Sequence, residues 1–150
     1  MNAAEIVDIL LVEDNPHEAE LVMRALRRSR PGVRVGLVHD GVEALDYVFG
    51  EGKHEGRGPV EPPRVILLDL KLPKVDGLEV LRRIKSDKLA RTIPVVMLTS
   101  SREQRDIDTS YRLGANSYVV KPVNYEQLAS LVQDLGSYWL AVNQGSKSEG

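Results

Sequence analysis

The 150-residue chain contains no cysteine. That one absence excludes disulfide scaffolds, thiolate zinc sites, iron–sulfur clusters and cysteine nucleophiles together. Aromatic residues make up only 5 %, with a single Trp and a single Phe. The formal net charge is −2, which gives no bulk electrostatic drive toward nucleic acid or an anionic membrane. Long apolar runs are also missing. The longest aliphatic runs are Ile9–Val12, Val65–Leu68 and Val95–Leu98, each far below the ~20 residues that span a bilayer. The start, Met1-Asn2-Ala3-Ala4-Glu5, lacks a basic segment leading into an apolar one, so no secretion signal is read. These absences lead to the expectation of a cytoplasmic protein with no nucleic-acid or membrane partner.

What is present suits one globular domain. Hydrophobic residues make up 42 % and charged residues 28 %, which argues against disorder. The three aliphatic runs are short, rich in β-branched residues and apolar on both parities, as strands buried on both faces of a parallel sheet must be. Strands are expected at Ile6–Val12, Val65–Asp69 and Val95–Thr99, with weaker candidates at Val33–His39 and Ser117–Val120. Helical periodicity fills the intervals. Leu21, Val22, Ala25 and Leu26 form one face of a helix opening near Pro16. Val42, Leu45, Val48 and Phe49 mark a second helix, and Leu78, Leu81 and Ile84 a third. Ser101 and Gln104 match a capping box for a fourth helix running toward Leu113-Gly114. Leu128, Leu131, Val132 and Leu135 mark a fifth, extending toward Trp139. Strand and helix alternate five times, which predicts a doubly wound open α/β sheet. Gly50–Pro63, with four Gly and three Pro in 14 residues, reads as a long surface loop. Residues 1–143 are expected to form one domain and 144–150 a flexible C-terminal tail.

In such sheets the functional crevice lies outside the carboxyl ends of the strands. Glu13 and Asp14 follow the first strand, Asp69 and Thr99 end the third and fourth, and Lys121-Pro122 follows the fifth. Three clustered carboxylates repel one another unless a cation is present. Oxygen ligands without His or Cys suit Mg²⁺, with Mn²⁺ as an alternative. Mg²⁺ binds one or two carboxylates plus phosphate oxygens, which leaves one carboxylate to act as a nucleophile toward phosphorus. A lysine supplies a point charge and a threonine a hydrogen bond. The constellation reads as phosphoryl transfer to an aspartate. Asp40-Gly41 and Asp76-Gly77 look similar but suit helix and turn starts. His17, His39 and His54 have no metal-ligand spacing. The Arg24, Arg27, Arg28 and Arg30 cluster reads as a solvated helix face.

Four segments carry a family resemblance: Ile9–Asn15, Val65–Gly77, Ile93–Thr99 and Gly114–Pro122. In this order and spacing, the sequence resembles a response-regulator receiver domain of two-component signalling. The resemblance covers Ile6 to Leu135. It implies a (βα)5 flavodoxin-like sandwich with a five-stranded parallel sheet of order 2-1-3-4-5. It implies that Asp69 is the phosphoacceptor, and that Glu13, Asp14, Asp69 and the Lys71 backbone carbonyl hold Mg²⁺. Lys121 would pair with the phosphoryl group, Thr99 would hydrogen-bond to it, and Tyr118 would be the aromatic switch. The Lys121-Pro122 peptide would be cis. The donor would be a phosphohistidine on a sensor histidine kinase, and the chain a phosphoacceptor rather than an enzyme.

Asn15-Pro16-His17-Glu18, the Gly/Pro loop and Ser137-Tyr138-Trp139-Leu140 resemble stand-alone receivers that partner phytochrome-type kinases. The apolar residues late in the last helix either fold back on the core or pack on a partner, and a homodimer through helix 4, strand 5 and helix 5 is expected. Three other readings are weaker. A Mg²⁺-dependent phosphatase would commonly carry an acid where Lys71 stands. A degenerate, phosphorylation-independent receiver would not need the full set of site residues. A flavin domain would place its phosphate against Glu13 and Asp14.

Overall fold

Each buried strand splits its side chains between two faces, and that parity organises the molecule. The computed structural model describes residues 6–51 and 61–146. Its elements are β1 (Ile9–Val12), α1 (Pro16–Ser29), β2 (Val35–Val38), α2 (Gly41–Phe49), β3 (Val65–Leu68), α3 (Gly77–Ser86), β4 (Val95–Thr99), α4 (Gln104–Arg112), β5 (Ser117–Val120) and α5 (Tyr125–Ser137). A 3₁₀ turn at Ala90–Thr92 precedes β4, and a π turn at Tyr138–Val142 extends α5. The strands are all parallel, in the order β2-β1-β3-β4-β5. This is the doubly wound sheet expected from the alternating pattern, with the flavodoxin-like strand order that the resemblance implies.

Leu10, Val12, Ile66, Leu68, Val95 and Met97 point to one face, where Leu45 of α2 and Val80, Leu81 and Ile84 of α3 cover them. Ile9, Leu11, Val65, Leu67, Val96 and Leu98 point to the other, under Val22, Ala25 and Leu26 of α1 and Leu128 and Val132 of α5. Every residue of β1, β3 and β4 is buried, so these strands had to be apolar on both parities. Leu140 also joins the second cluster and Trp139 packs against it, while Tyr138 stays exposed. The apolar end of the last helix therefore folds largely back onto its own core.

Side chains fix where the helices start. Asn15 accepts from the His17 and Glu18 N–H groups, Asp40 from Glu43 N–H at 2.7 Å, Asp76 from Glu79 N–H, and Asn124 from Gln127 N–H. The expected Ser101–Gln104 capping box does not form. The Ser101 hydroxyl accepts from Glu103 N–H and donates to Asp106 Oδ2 at 2.6 Å, so the chain stays extended until Glu103. A serine that satisfies an N–H two residues on makes a local turn instead of a cap. The expected strand ends also shorten: β1 starts at Ile9, β2 spans only Val35–Val38, and β3 stops at Leu68. Of the expected 50–63 loop, Gly50 closes α2 in the left-handed region, and 52–60 lie outside the described residues. The same holds for 147–150 of the expected tail.

Two further contacts tie the helices to the sheet. At the amino end, the half-buried Lys85 donates its ammonium protons to Arg91 O, Ile93 O and Asn116 Oδ1, all neutral oxygens. Burial lowers its pKa. Gly114, at φ +107, lies so close that a Cβ there would meet Lys85 Cγ at 2.9 Å. On edge strand β5, Tyr118 N–H donates to the Tyr111 hydroxyl of α4. No helix among the described residues is long and apolar enough to cross a membrane.

Asp40→Ala should lower unfolding stability by about 1 kcal/mol at neutral pH in urea titrations. The Glu43 N–H holds the Asp40 pKa below its ordinary 3.8. A depressed folded pKa stabilises above the unfolded value, and that contribution is lost as the pH falls through the lower, folded one. The gap between the two proteins should therefore close in acid below about pH 4.

Candidate acidic phosphoryl-acceptor site

The backbone ladder runs past the carboxyl ends of the strands and fixes the site residues in register. Glu13 N–H donates to Val38 O, Asp69 N–H to Val12 O, and Lys121 N–H to Thr99 O at 2.7 Å. Gly77 lets α3 close over the same end, because a Cβ there would lie 2.0 Å from the Asp69 carbonyl oxygen. Any side chain at 77 would push α3 away from Asp69.

Glu13, Asp14 and Asp69 each offer an oxygen, all within 4.8 Å of one another. Glu13 is only 4 % exposed and Lys121 8 %, which is unusual for charged groups without partners, and Thr99 is 2 % exposed. The partners are present. Lys121 Nζ donates to Glu13 Oε1 at 2.9 Å, Asp69 Oδ2 at 3.1 Å and Glu18 Oε1 at 2.6 Å. An ammonium has three protons, so this lysine is fully engaged. The second Glu13 oxygen, Oε2, accepts from Asn15 N–H at 3.0 Å. Burial raises the Glu13 pKa, opposed by the Asn15 N–H and Lys121. Burial also pulls the Lys121 pKa down, but the Glu18 hydrogen bond, the Asp69 charge and Glu13 outweigh it and hold the pKa above the ordinary lysine value.

The donor set fits a hard divalent cation: three carboxylates, no nitrogen or sulfur, and one exposed member, Asp14, open to water. Lys71 lines the hollow that Asp14 shares with Leu70, Pro73 and Asp76. Thr99 Oγ1 accepts from Ser101 N–H at 3.4 Å, at the same end of the sheet. Tyr118 is half-buried, and its hydroxyl donates to Ser101 O at 3.0 Å, so Thr99 and Tyr118 both engage the β4–α4 loop at Ser101. Burial raises the Tyr118 pKa.

The structure thus brings Glu13, Asp14, Asp69 and Lys121 together, with Thr99 and Tyr118 at the same end. It corrects one expectation: no cis peptide occurs among the described residues, so Lys121-Pro122 is trans. The trans form is the default for such bonds, by about 0.5–1 kcal/mol. Lys121 makes all three carboxylate contacts from it. It also adds a residue missing from the expected set, Glu18. Asn15-Pro16-His17-Glu18 has the spacing of a capping box, with the cap at Asn15 and an acid three residues on. A capping box would turn the Glu18 side chain back toward the helix start, but here it reaches Lys121.

Three carboxylates on one ammonium make opposite stability predictions for the two signs of charge. In metal-free buffer, Lys121→Met should destabilise the fold by about 3 kcal/mol, because it leaves Glu13 buried without its cation. Protonating Glu13 relieves this, so the deficit should shrink as the pH falls. Asp69→Asn removes one of the competing anions and should be neutral or stabilising by about 1 kcal/mol. Urea titrations with a chelator present read both.

Comparison with known proteins agrees with this geometry. The family model for the response regulator receiver domain matches residues 9–133. The probable methanogenesis regulatory protein FilR2 of Methanothrix harundinacea is 46 % identical over 91 % of this chain and 85 % of its own length. The response regulator Rcp1 of Synechocystis is 39 % identical over 88 % of each chain, and its solved Mn²⁺-bound form superposes with a TM-score of 0.85. The crystal structure of the phosphorylated cyanobacterial phytochrome response regulator RcpA superposes with a TM-score of 0.87 at 40 % identity, over 95 % of this chain and 100 % of that one. With five parallel strands in the order 2-1-3-4-5 carrying this acidic site, the chain belongs to the response regulator receiver domain family.

Proposed function

We propose that this chain is a phosphorylation switch, in which Asp69 accepts a phosphoryl group from a histidine of a sensor kinase. The observation that carries this reading is the contact of buried Lys121 with Asp69 Oδ2, beside the Glu13 and Asp14 carboxylates. In the transfer, an Asp69 carboxylate oxygen forms a bond to phosphorus as the donor's N–P bond breaks. The electron pair stays on the imidazole nitrogen, and the product is an acyl phosphate. A divalent cation, Mg²⁺ or Mn²⁺, held by Glu13, Asp14, Asp69 and the Lys71 carbonyl would neutralise charge on the phosphoryl oxygens. The Mn²⁺-bound form of Rcp1 supports a divalent metal at this site. Lys121 offers a point charge to one phosphoryl oxygen, and the Thr99 hydroxyl offers a hydrogen bond to another.

The new group adds about −1.5 to −2 of charge if it resembles other phosphorylated side chains. Drawing Thr99 toward it would disturb the Thr99–Ser101 contact, and Ser101 O is where the Tyr118 hydroxyl rests. This connects the phosphoryl site to the surface of α4 and β5 and makes Tyr118 the switch. The change is a population shift between two packings, not a turnover reaction. The chain therefore acts as a phosphoacceptor that assists its own phosphorylation and dephosphorylation, and not as an enzyme on a separate substrate. The likeness to RcpA favours a phytochrome-type kinase as donor, and these steps suit the cytoplasm. The exposed Tyr111 of α4 and fully exposed Val123, just after β5, favour a homodimer through α4, β5 and α5.

Acetyl phosphate with Mg²⁺ should add one phosphoryl group to the wild type by intact-mass spectrometry. Asp69→Asn, and wild type without metal, should show none. An adduct of equal yield on Asp69→Asn would remove Asp69 from the role. Sedimentation velocity should show a dimer fraction that grows with phosphorylation. A pure monomer at full phosphoryl occupancy and high protein concentration would rule out the dimer.

A further inference from the structure

We propose that Glu18 is a positioning residue that competes with the incoming phosphoryl group for Lys121 and slows phosphorylation of Asp69. The inference rests on the reading of Asp69 as acceptor. It begins with a count of donors. Lys121 has three N–H groups, and Glu13, Glu18 and Asp69 take all of them at 2.6–3.1 Å. A phosphoryl oxygen can be met by this ammonium only if one contact yields.

The three partners are not equally able to yield. The Glu13 side chain is 5 % exposed, and its other oxygen is held by Asn15 N–H. Removing it from Lys121 would leave a buried carboxylate short of a partner. Asp69 is itself the acceptor. Glu18 stands in the first turn of α1 with its side chain 41 % exposed, so its carboxylate can turn into water at little cost. It is also the shortest of the three contacts, at 2.6 Å. Glu18 is therefore both the strongest competitor in the resting state and the one partner free to leave.

Charge acts in the same direction. Glu13, Asp69 and Glu18 share one ammonium and Asp14 lies beside the first two, so this end of the sheet is net negative. An anionic phosphoryl donor must approach that field. Glu18 adds repulsion to it and is not one of the three clustered metal-ligand candidates. The same negative charge favours a divalent cation. Glu18 should thus affect the two ligands in opposite senses, helping the metal and hindering the phosphoryl group. A residue that merely supports the fold would not do that.

The test compares wild type, Glu18→Gln and Glu18→Asp. Phosphorylation is followed by intact mass at saturating Mg²⁺ and limiting acetyl phosphate, and Mg²⁺ binding by calorimetry on the unmodified proteins. Glu18→Gln should gain the adduct roughly three- to tenfold faster and bind Mg²⁺ about two- to fivefold more weakly. Glu18→Asp keeps the charge but shortens the reach to Lys121, so its rate should fall between the other two. Thermal unfolding confirms that the variants are folded, as expected for a half-exposed position in the first turn of a helix. Equal rates in all three proteins, or a Glu18→Gln rate that falls together with Mg²⁺ affinity, would overturn the role of Glu18 and leave Asp69 as acceptor. No adduct on the wild type would overturn the Asp69 reading and this inference with it.

Discussion

One ammonium group, just past an edge strand, holds together an anionic site assembled at the ends of four strands. Lys121 follows β5, yet its partners follow β1 and β3, with β4 lying between. The side chain must therefore cross the carboxyl end of β4. Thr99, a short residue, ends that strand and is almost fully buried. A longer side chain there would compete for the space the lysine crosses. Without Lys121, the buried Glu13 carboxylate would lose its cation beside Asp14 and Asp69. With it, the site still holds more carboxylates than cations. That unmet demand suits the site to a further, divalent cation.

The scaffold beneath holds this arrangement in place. Side chains of β1, β3 and β4 are buried on both faces, so the three central strands cannot slip without exposing aliphatic surface. The strand ends are thereby fixed, and the carboxylates with them. Gly77 brings α3 against the Asp69 backbone, and Asn15 starts α1 where Glu18 can turn inward. Stability and function pull apart here, since the charges that make the site reactive do not favour folding.

Much of this was legible in the sequence, for physical reasons that also explain the failures. Runs such as Val65–Leu68 are apolar on both parities, a signal few structures other than a covered parallel strand produce. Topology then placed Glu13, Asp14, Asp69, Thr99 and Lys121 at one edge without any distance information. What failed depended on where a side chain points. Ser101 and Gln104 have capping spacing, but the hydroxyl is engaged one step earlier, by Glu103 N–H. Glu18 has the opposite disguise: it sits where a helix start wants an acid, and only the fold shows that Lys121, 103 positions away, claims it. The Lys121-Pro122 isomer was carried by resemblance alone, and no local signal in the sequence sets it. For the apolar residues late in the last helix the sequence left two places, the core or a partner, and Leu140 takes the inner one, under the sheet.

The hydroxyl of Tyr111 has a consequence for how this molecule meets others. An outermost strand offers unpaired amides as a template on which a second chain can extend the sheet. On β5 the Tyr118 amide already has its acceptor, supplied by the neighbouring helix. A stranger adding a strand there would have to evict Tyr111 first. Association at this border is thus directed away from a shared, continuous sheet and toward contacts between side chains. Such contacts form and part readily, whereas fused strands would tend to persist.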